Sequence, residues 1–370
     1  MTLQTSGPIS FDDLRTEYQR TGALSLSDLY GQPGLQTSGA IGLSDFYGKA
    51  MKFTAVITAS TTNVNIQNLF TSAQWLSTAP KEVVVNSGVT IGDSARAGYA
   101  MRTNASRAGT LTIINNGEIQ GYYGAPNSGA GGTALYIDQS GVTVINNYAI
   151  RGGGGAGGRG GTGGTGGGGY YNTTVTEGPF YQWDEYVWYY ERYNEGSKNP
   201  IENSGRFRWS NSTISSGLDV DLTSKTVGAY TYYRGTFEGI RNSNGTVGQA
   251  VHQIRRTYVD QVNTSGGAGG AGGPGGRGQG YGASRAGGAA GAGGAAGGTN
   301  AGRGGTGGTG GTGGTWGAAG GTGNTAATGA SGNRTGGSAG AAGAGGGAAG
   351  AAIAGVARTV QNNNTINGAY

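Results

Sequence analysis

Apolar and polar residues alternate strictly over several short stretches beyond residue 50. Lys52–Thr58 and Asn63–Ile66 carry the period of two that marks a strand with one buried face. Glu82–Asn86 and Val89–Ile91 flank Ser87-Gly88, a turn signal between two strands. Two longer stretches are near-copies: Thr110-Leu-Thr-Ile-Ile-Asn-Asn-Gly-Glu-Ile-Gln-Gly121 and Gly141-Val-Thr-Val-Ile-Asn-Asn-Tyr-Ala-Ile-Arg-Gly152. Each reads as strand, Asn-Asn turn, isoleucine, glycine. Such units predict coils of a β-solenoid or a stacked sandwich over residues 51–151.

From residue 152 the period changes to three. Gly152 to Gly169 reads as Gly-X-Gly triplets with Ala156, Arg159, Thr162 and Thr165 in the middle place, and glycine falls on every third position from Gly302 to Gly323. Neither a helix of 3.6 residues per turn nor a strand accommodates that period; polyproline II geometry does. Such a helix bonds nothing to itself, so a buried one must pair its amides with neighbours. Collagen also repeats glycine by threes but is rich in proline, and Pro274 is the one proline between 265 and 355. A solvated linker is the compositional alternative. The preferred reading is a bundle of polyglycine II helices formed by 152–169 and 265–355. Its turns are expected at the phase slips Arg277–Ala286, Thr299–Ala301, Asn324–Thr328 and Asn333–Thr335, with Trp316 inside a regular run.

The first fifty residues form a short repeat array. Leu3-Gln-Thr-Ser-Gly7 returns as Leu35-Gln-Thr-Ser-Gly39, and Ile9-Ser-Phe-Asp-Asp-Leu14 returns as Leu24-Ser-Leu-Ser-Asp-Leu29 and Ile41-Gly-Leu-Ser-Asp-Phe46. Each copy offers a residue to cap one helical turn and a few apolar anchors too sparse for a core of their own. The expectation is a docking strap whose pegs enter sockets on a larger assembly, with Leu14, Asp28, Leu29, Tyr30, Asp45, Phe46 and Tyr47 in contact. Residues 170–264 interrupt the glycine pattern with Tyr, Trp and Phe, and read as an inserted aromatic-rich β subdomain. Residues 356–370 read as a C-terminal tail. The fold class expected is therefore mainly β plus a glycine-helix bundle, with little α-helix.

Composition narrows the function. Glycine numbers 84 in 370 residues and charged residues make up only 12%, so a conventional core cannot extend throughout. With no cysteine and a single histidine, His252, thiolate and multi-histidine metal sites are not expected, and no cofactor is implied. The net charge of +5 comes from scattered arginines rather than a basic patch, so nucleic acid is not an expected partner. The N-terminus lacks a basic and then apolar signal segment.

The stretch Leu111–Gly121, the run Ile150–Gly155 and the long glycine triplets together resemble bacteriophage tail-fibre tip adhesins of the T-even-like type, over roughly 100–150 and 265–355. The resemblance implies a virion protein at a tail or fibre tip, made in the host cytoplasm. Its expected partners are other phage tail or fibre proteins through residues 1–50 and a host outer-membrane protein or surface glycan, with a homotrimer possible. In such adhesins loops of a polyglycine II sandwich bind the receptor, which here points to Tyr281, Arg277, Arg285, Trp316, Arg334, Asn333, Tyr122 and Tyr123. The aromatic insert departs from the family pattern and offers an alternative face at Tyr181, Trp183, Tyr186, Trp188 and Tyr189. The rival classes are a polysaccharide-cleaving tailspike using carboxylates among Asp184, Glu185 and Glu191, and a purely structural or ice-binding protein. No catalytic constellation is evident, so a non-enzymatic adhesin is the reading carried forward.

Overall fold

The computed structural model describes residues 3–18, 20–32, 35–49, 51–94, 98–180, 187–194, 199–200, 206–209, 217–220, 224–241 and 247–370. It is mainly β with few helical turns, and its chain divides into two units. One comprises 1–167, 266–297 and 302–370; the other comprises 168–265 and 298–301.

The alternating stretches of the first unit become three parallel sheets, visited in rotation. One sheet stacks Phe53–Ile57, Lys81–Val85, Leu111–Asn115, Val142–Asn146 and Thr359–Asn362. A second stacks Thr61–Thr62, Thr90–Gly92, Glu118–Gln120, Ala149–Arg151 and Thr365–Asn367. A third stacks Val64–Asn65, Tyr99–Arg102, Thr133–Ile137 and Ile353–Gly355. Every pairing in these sheets is parallel, with Val142 opposite Leu111 and Thr143 opposite Thr359. The inward positions Val83, Val85, Ile91, Leu111, Ile113, Ile119, Leu135, Val144, Ile150 and Ile353 form one core.

The Asn-Asn turns stack as well. Asn115 Nδ2 donates to Asn146 Oδ1 at 2.8 Å, 31 positions on, and Asn146 Nδ2 donates to Asn362 Oδ1 at 2.8 Å, 216 positions on. A second file runs Asn363 to Asn147 at 2.7 Å and Asn147 to Asn116 at 2.9 Å. Asn115 and Asn146 are fully buried, and this pairing satisfies polar groups that would otherwise be costly to bury. The stretch Thr359–Gly368 is thus another copy of the coil repeat. Residues 356–370 are not a free tail: the coil stops at Arg151, resumes at Ile353, and the chain between them is an excursion. Arg358 folds over the last coil and donates to the carbonyls of Ile353, Gly355 and Val356.

Where the strands enter the first sheet, two buried cations tie the loops together. Lys81 Nζ donates to the carbonyls of Ser77 (2.6 Å), Ala79 (3.0 Å) and Ala108 (2.9 Å). Burial, and secondarily the Arg107 charge, push its pKa down to about 8.

The excursion carries the glycine tract, laid out as antiparallel and parallel segments spanning about 152–167, 266–279, 286–298, 301–315, 318–330 and 335–350. Segment 152–167 lies among the others. Gly154, Gly157, Gly160, Gly163 and Gly166 donate backbone bonds to Gln279, Gly276, Gly273, Gly270 and Gly267. The next position of each triplet, Gly155 through Gly167, donates to the segment beginning at Ala318. Carbonyls of the same segment accept from Gly302–Gly314 and from Ser338–Gly350, again every third residue. Bonds within one segment occur only at reversals, such as Ala283 to Gly280 and Ala318 to Thr315. A Cβ on Gly157 would lie 1.9 Å from the Gly311 carbonyl oxygen, so two of every three positions must be glycine here. The third position, at Arg159, Thr162 and Thr165, faces solvent.

The reversals fall at 280–285, 298–301 and 331–335 as the phase slips predict, and at Trp316–Gly317 where the triplets run unbroken. Asn324–Thr328, expected as a turn, is straight: Asn324 and Ala327 donate to Thr309 and Thr306 in the regular register. Asn324 keeps the triplet phase because its side chain points outward to Thr309 Oγ1 at 2.6 Å. Gly317 turns the chain with φ of +62°, a conformation that glycine adopts without steric cost.

The second unit is an antiparallel sheet built on the long pair Gly169–Phe180 and Val247–Thr264, with Tyr230–Arg241 and Val187–Asn194 also on the latter. Arg256 Nη2 meets Glu177 at 2.6 Å and its guanidinium lies 4.4 Å from the Tyr230 ring centroid.

Substitution tests the close packing directly. Gly311→Val places a branched side chain where Gly321 O stands 2.1 Å from the Cβ position, and the array should lose its cooperative melting. Gly287→Ala meets no heavy atom within 4 Å and should leave the calorimetric midpoint unchanged.

Candidate functional site

The three repeats of residues 1–50 fold as three short helical turns: Phe11–Glu17, Leu26–Leu29 and Leu43–Phe46. In each, the carboxylate at the third position accepts the cap residue's amide at 2.8 Å: Asp13 from Ser10, Asp28 from Ser25, Asp45 from Gly42. These bonds hold the Asp13 and Asp28 carboxyls below the usual range; the Ser10 hydroxyl is the main cause for Asp13 and the Ser25 amide for Asp28.

The pegs themselves turn inward. Leu14, Leu29 and Phe46 are fully buried, in a cluster with Leu3, Ile9, Tyr18, Met51 and Ala79. Tyr30 and Tyr47 donate their hydroxyls to the Gly39 and Gly7 carbonyls, tying each Leu-Gln-Thr-Ser-Gly copy to the tyrosine after one of the turns. The expectation that Leu14, Leu29 and Phe46 enter an external socket is therefore corrected. Three units, each too small for a core, complete one together. Phe11, Leu43 and Tyr47 stay exposed at 40%, 37% and 39%, as do Asp28 and Asp45, while Leu26 is half-buried against the cluster.

The residues expected at glycine-tract turns divide between the two ends of the array. Asn333 and Arg334 sit in the exposed reversal 331–335, level with Gly167, whose Cβ position is 1.9 Å from Thr335 O. Trp316 sits at the end beside the coil, with the Arg151 guanidinium 5.8 Å from its ring centroid. Gly317 next to it donates to Gly152 at 2.8 Å. At about 3.1 Å per residue, the fifteen positions from 152 to 167 separate these groups by roughly 45 Å, so they cannot form one site. Tyr281 is an anchor: its ring covers Gly92, with Cδ2 2.2 Å from where a Cβ would be. Tyr281, expected among the receptor-binding residues, thus has a packing role at this turn. Arg285 is exposed in the same reversal.

Tyr122, Tyr123 and Arg277 do come together. The loop between Glu118–Gln120 and Thr133–Ile137 joins the glycine array through Gly124, whose amide bonds to Gly154 O at 2.8 Å, while Gly278 donates to Gly124 O at 3.0 Å. That pairing lays the two tyrosine rings on each other, centroids 4.2 Å apart, with the Arg277 guanidinium 5.3 Å from the Tyr123 centroid. They line a groove of about 540 Å³ with Pro126, Pro274 and Ala286. Arg277 Nε is held by the Ser284 carbonyl at 3.2 Å. Sequence reasoning singled out the three residues but not their convergence, because the glycine register that aligns 122–124 with 274–278 is set by inter-segment bonds. Pro126 and Pro274 were missed as walls.

The alternative face at Tyr181, Trp183 and Tyr186, and the carboxylates Asp184 and Glu185, lie outside the described residues; for Trp188, Tyr189 and Glu191 only the backbone strand is described. Among the described residues, no group of three or more His, Asp or Glu side chains could hold a metal ion.

A family model for the phage tail fibre adhesin Gp38 matches residues 52–262, more than half of the 370 residues. The match takes in residues 100–150 of the sequence resemblance and the aromatic stretch it set aside, and stops short of the long glycine stretch 265–355. Low-complexity glycine, with its phase slips, carries little positional information. No curated protein matches the chain. The solved gp37–gp38 adhesin tip complex of the bacteriophage S16 long tail fibre aligns over 99% of both chains at 14% identity and a TM-score of 0.34.

Tyr281→Ala removes a ring packed on Gly92 and should lower stability by about 2–3 kcal/mol. Arg334→Ala, on an exposed reversal, should change it by less than about 0.5 kcal/mol. Denaturant titration of the two variants checks the contrast.

Proposed function

The chain belongs to the Gp38 family of phage tail fibre adhesins, and from that premise we propose that it binds a host surface receptor at the Tyr122–Tyr123–Arg277 groove. Its role is that of a tail-fibre adhesin on the virion. The convergence of two stacked rings and a guanidinium on a wall of glycine backbone is the observation that carries the receptor assignment. Such residue types dominate binding energy where they cluster, and a rigid scaffold presenting loops is the usual host for recognition. We read the glycine array as a polyglycine II bundle, on the three-residue bonding period, and the parallel coil as a β-solenoid. Together they serve as a non-enzymatic support, made in the host cytoplasm and carried on the fibre.

The other partner in this reading is a fibre protein held by residues 1–50. Phe11 and Leu43 occupy the same position of two similar turns, and their exposure leaves an equivalent apolar contact on each. Two such contacts on one rigid cluster suit a fibre end with repeated sockets, each binding event assisting the next. The repeats within one chain supply this multiplicity without a homotrimer.

Two experiments test these roles. Tyr123→Ala combined with Arg277→Ala should reduce adsorption of reconstituted phage to host cells by tenfold or more, about 1.4 kcal/mol, with an unchanged melting midpoint; unchanged adsorption places recognition elsewhere. Replacing Phe11 and Leu43 together by Glu should abolish incorporation into virions while the purified protein stays folded. Leu29→Ala acts on the buried cluster instead and should cost about 2–5 kcal/mol of stability.

A further inference from the structure

We infer that the ligand of the Tyr122–Tyr123–Arg277 groove is an anionic saccharide of the bacterial surface, an inference that rests on the receptor role proposed for that groove. The volume of about 540 Å³ lies within the range of about 300–1,000 Å³ typical of small-ligand sites. The character of its walls then selects the class of ligand.

Much of the backbone along 274–277 is already bonded. Gly275 donates to Asn127 Oδ1 at 3.0 Å and Gly276 to the Gly311 carbonyl at 2.8 Å. The carbonyls of Pro274 and Arg277 accept from Ala289 and Ala286 at 2.9 and 2.8 Å. A peptide adding itself as a strand needs unpaired backbone donors and acceptors, and these positions do not supply them. What the groove presents is flat apolar area from Pro126, Pro274, Ala286 and Ala289 beside two aromatic rings. Such a surface fits the C–H face of a pyranose ring, and phenol hydroxyls can bond its hydroxyl groups.

Arg277 adds the charge. Its Nε is committed to Ser284 O, which orients the guanidinium plane and leaves the two η nitrogens for a ligand. A guanidinium binds the planar oxygens of a carboxylate or the oxygens of a phosphate in a two-pronged fashion. A neutral sugar would leave this cation without a counter-charge. Both uronic acids and sugar phosphates meet the requirement, and the test separates them.

Binding is measured on the full-length protein by saturation-transfer NMR and calorimetry with trigalacturonate, glucose 6-phosphate and maltotriose as probes. At least one anionic probe is expected to bind, and to bind about tenfold or more tightly than maltotriose. Preference for trigalacturonate identifies a carboxylate sugar; preference for glucose 6-phosphate identifies a phosphorylated one. Arg277→Gln should erase the preference for the anion, and Tyr123→Ala should weaken all three probes. Equal binding of maltotriose, or an anion preference that survives Arg277→Gln, overturns the inference. So does absence of binding by every probe in a protein that adsorbs to cells; if the groove variants also lose adsorption, the receptor role stands and the ligand is a protein. If probes bind but groove variants adsorb normally, the saccharide site stands and the receptor role fails. The comparison of probes on the unmodified protein decides the ligand class even if a variant does not fold.

Discussion

Lateral hydrogen bonding between glycine segments is the constraint on which most of this molecule depends. An extended segment with a three-residue period cannot pair its own amides, and a buried unpaired amide costs about 1–3 kcal/mol. Segment 152–167 meets the requirement by bonding to neighbours at every third position on several sides. That pairing in turn requires backbones to approach where any side chain would collide, as at Gly157 against Gly311. Glycine content, straight segments and sharp reversals are consequences of one geometric demand. The same demand pushes every larger residue outward or to the ends, and so determines where chemistry can be displayed.

The array gains a fixed frame because it interrupts a coil. The chain departs after Ala149–Arg151 and returns at Ile353–Gly355, and the coil on both sides of the gap shares one core and two files of asparagines. Gly152 donates to Asn367, and Gly317 donates to Gly152, so the first glycine of the array is bonded to both the last coil and a reversal. Tyr281 over Gly92 and Trp316 beside Arg151 extend the joint. Large residues close to this joint consequently serve packing. Where the 121–132 loop runs alongside 274–289, rings and a cation line an open groove.

The N-terminal cluster shows the same division between structure and contact. An apolar residue in a short repeat has two possible destinations: the interior its siblings create, or a partner. Leu14, Leu29 and Phe46 take the first, through turns whose capping carboxylates are set three residues from the cap. Phe11 and Leu43, three residues earlier in their turns, stay exposed, while Leu26 packs against the buried cluster.

Local periodicity was legible along the chain because each element depends on its own residues. Alternation marked the strands at 52–58 and 82–86, triplets marked the glycine segments, and the cap spacing marked three helical turns. Tyr122, Tyr123 and Arg277 could be nominated because aromatic and arginine side chains stand out against glycine. Four features needed the tertiary structure. The coil copy at 359–368 lies 216 positions beyond its neighbour, and only the core between them identifies it as the next turn rather than a tail. The reversal at Trp316–Gly317 hides in unbroken triplets, since a turn that preserves the period leaves no trace in it. Burial of Leu14, Leu29 and Phe46 follows from three units sharing one interior, which no single repeat encodes. The groove exists because bonds between segments distant in sequence fix their register, and that register is a property of the packed array rather than of any stretch within it.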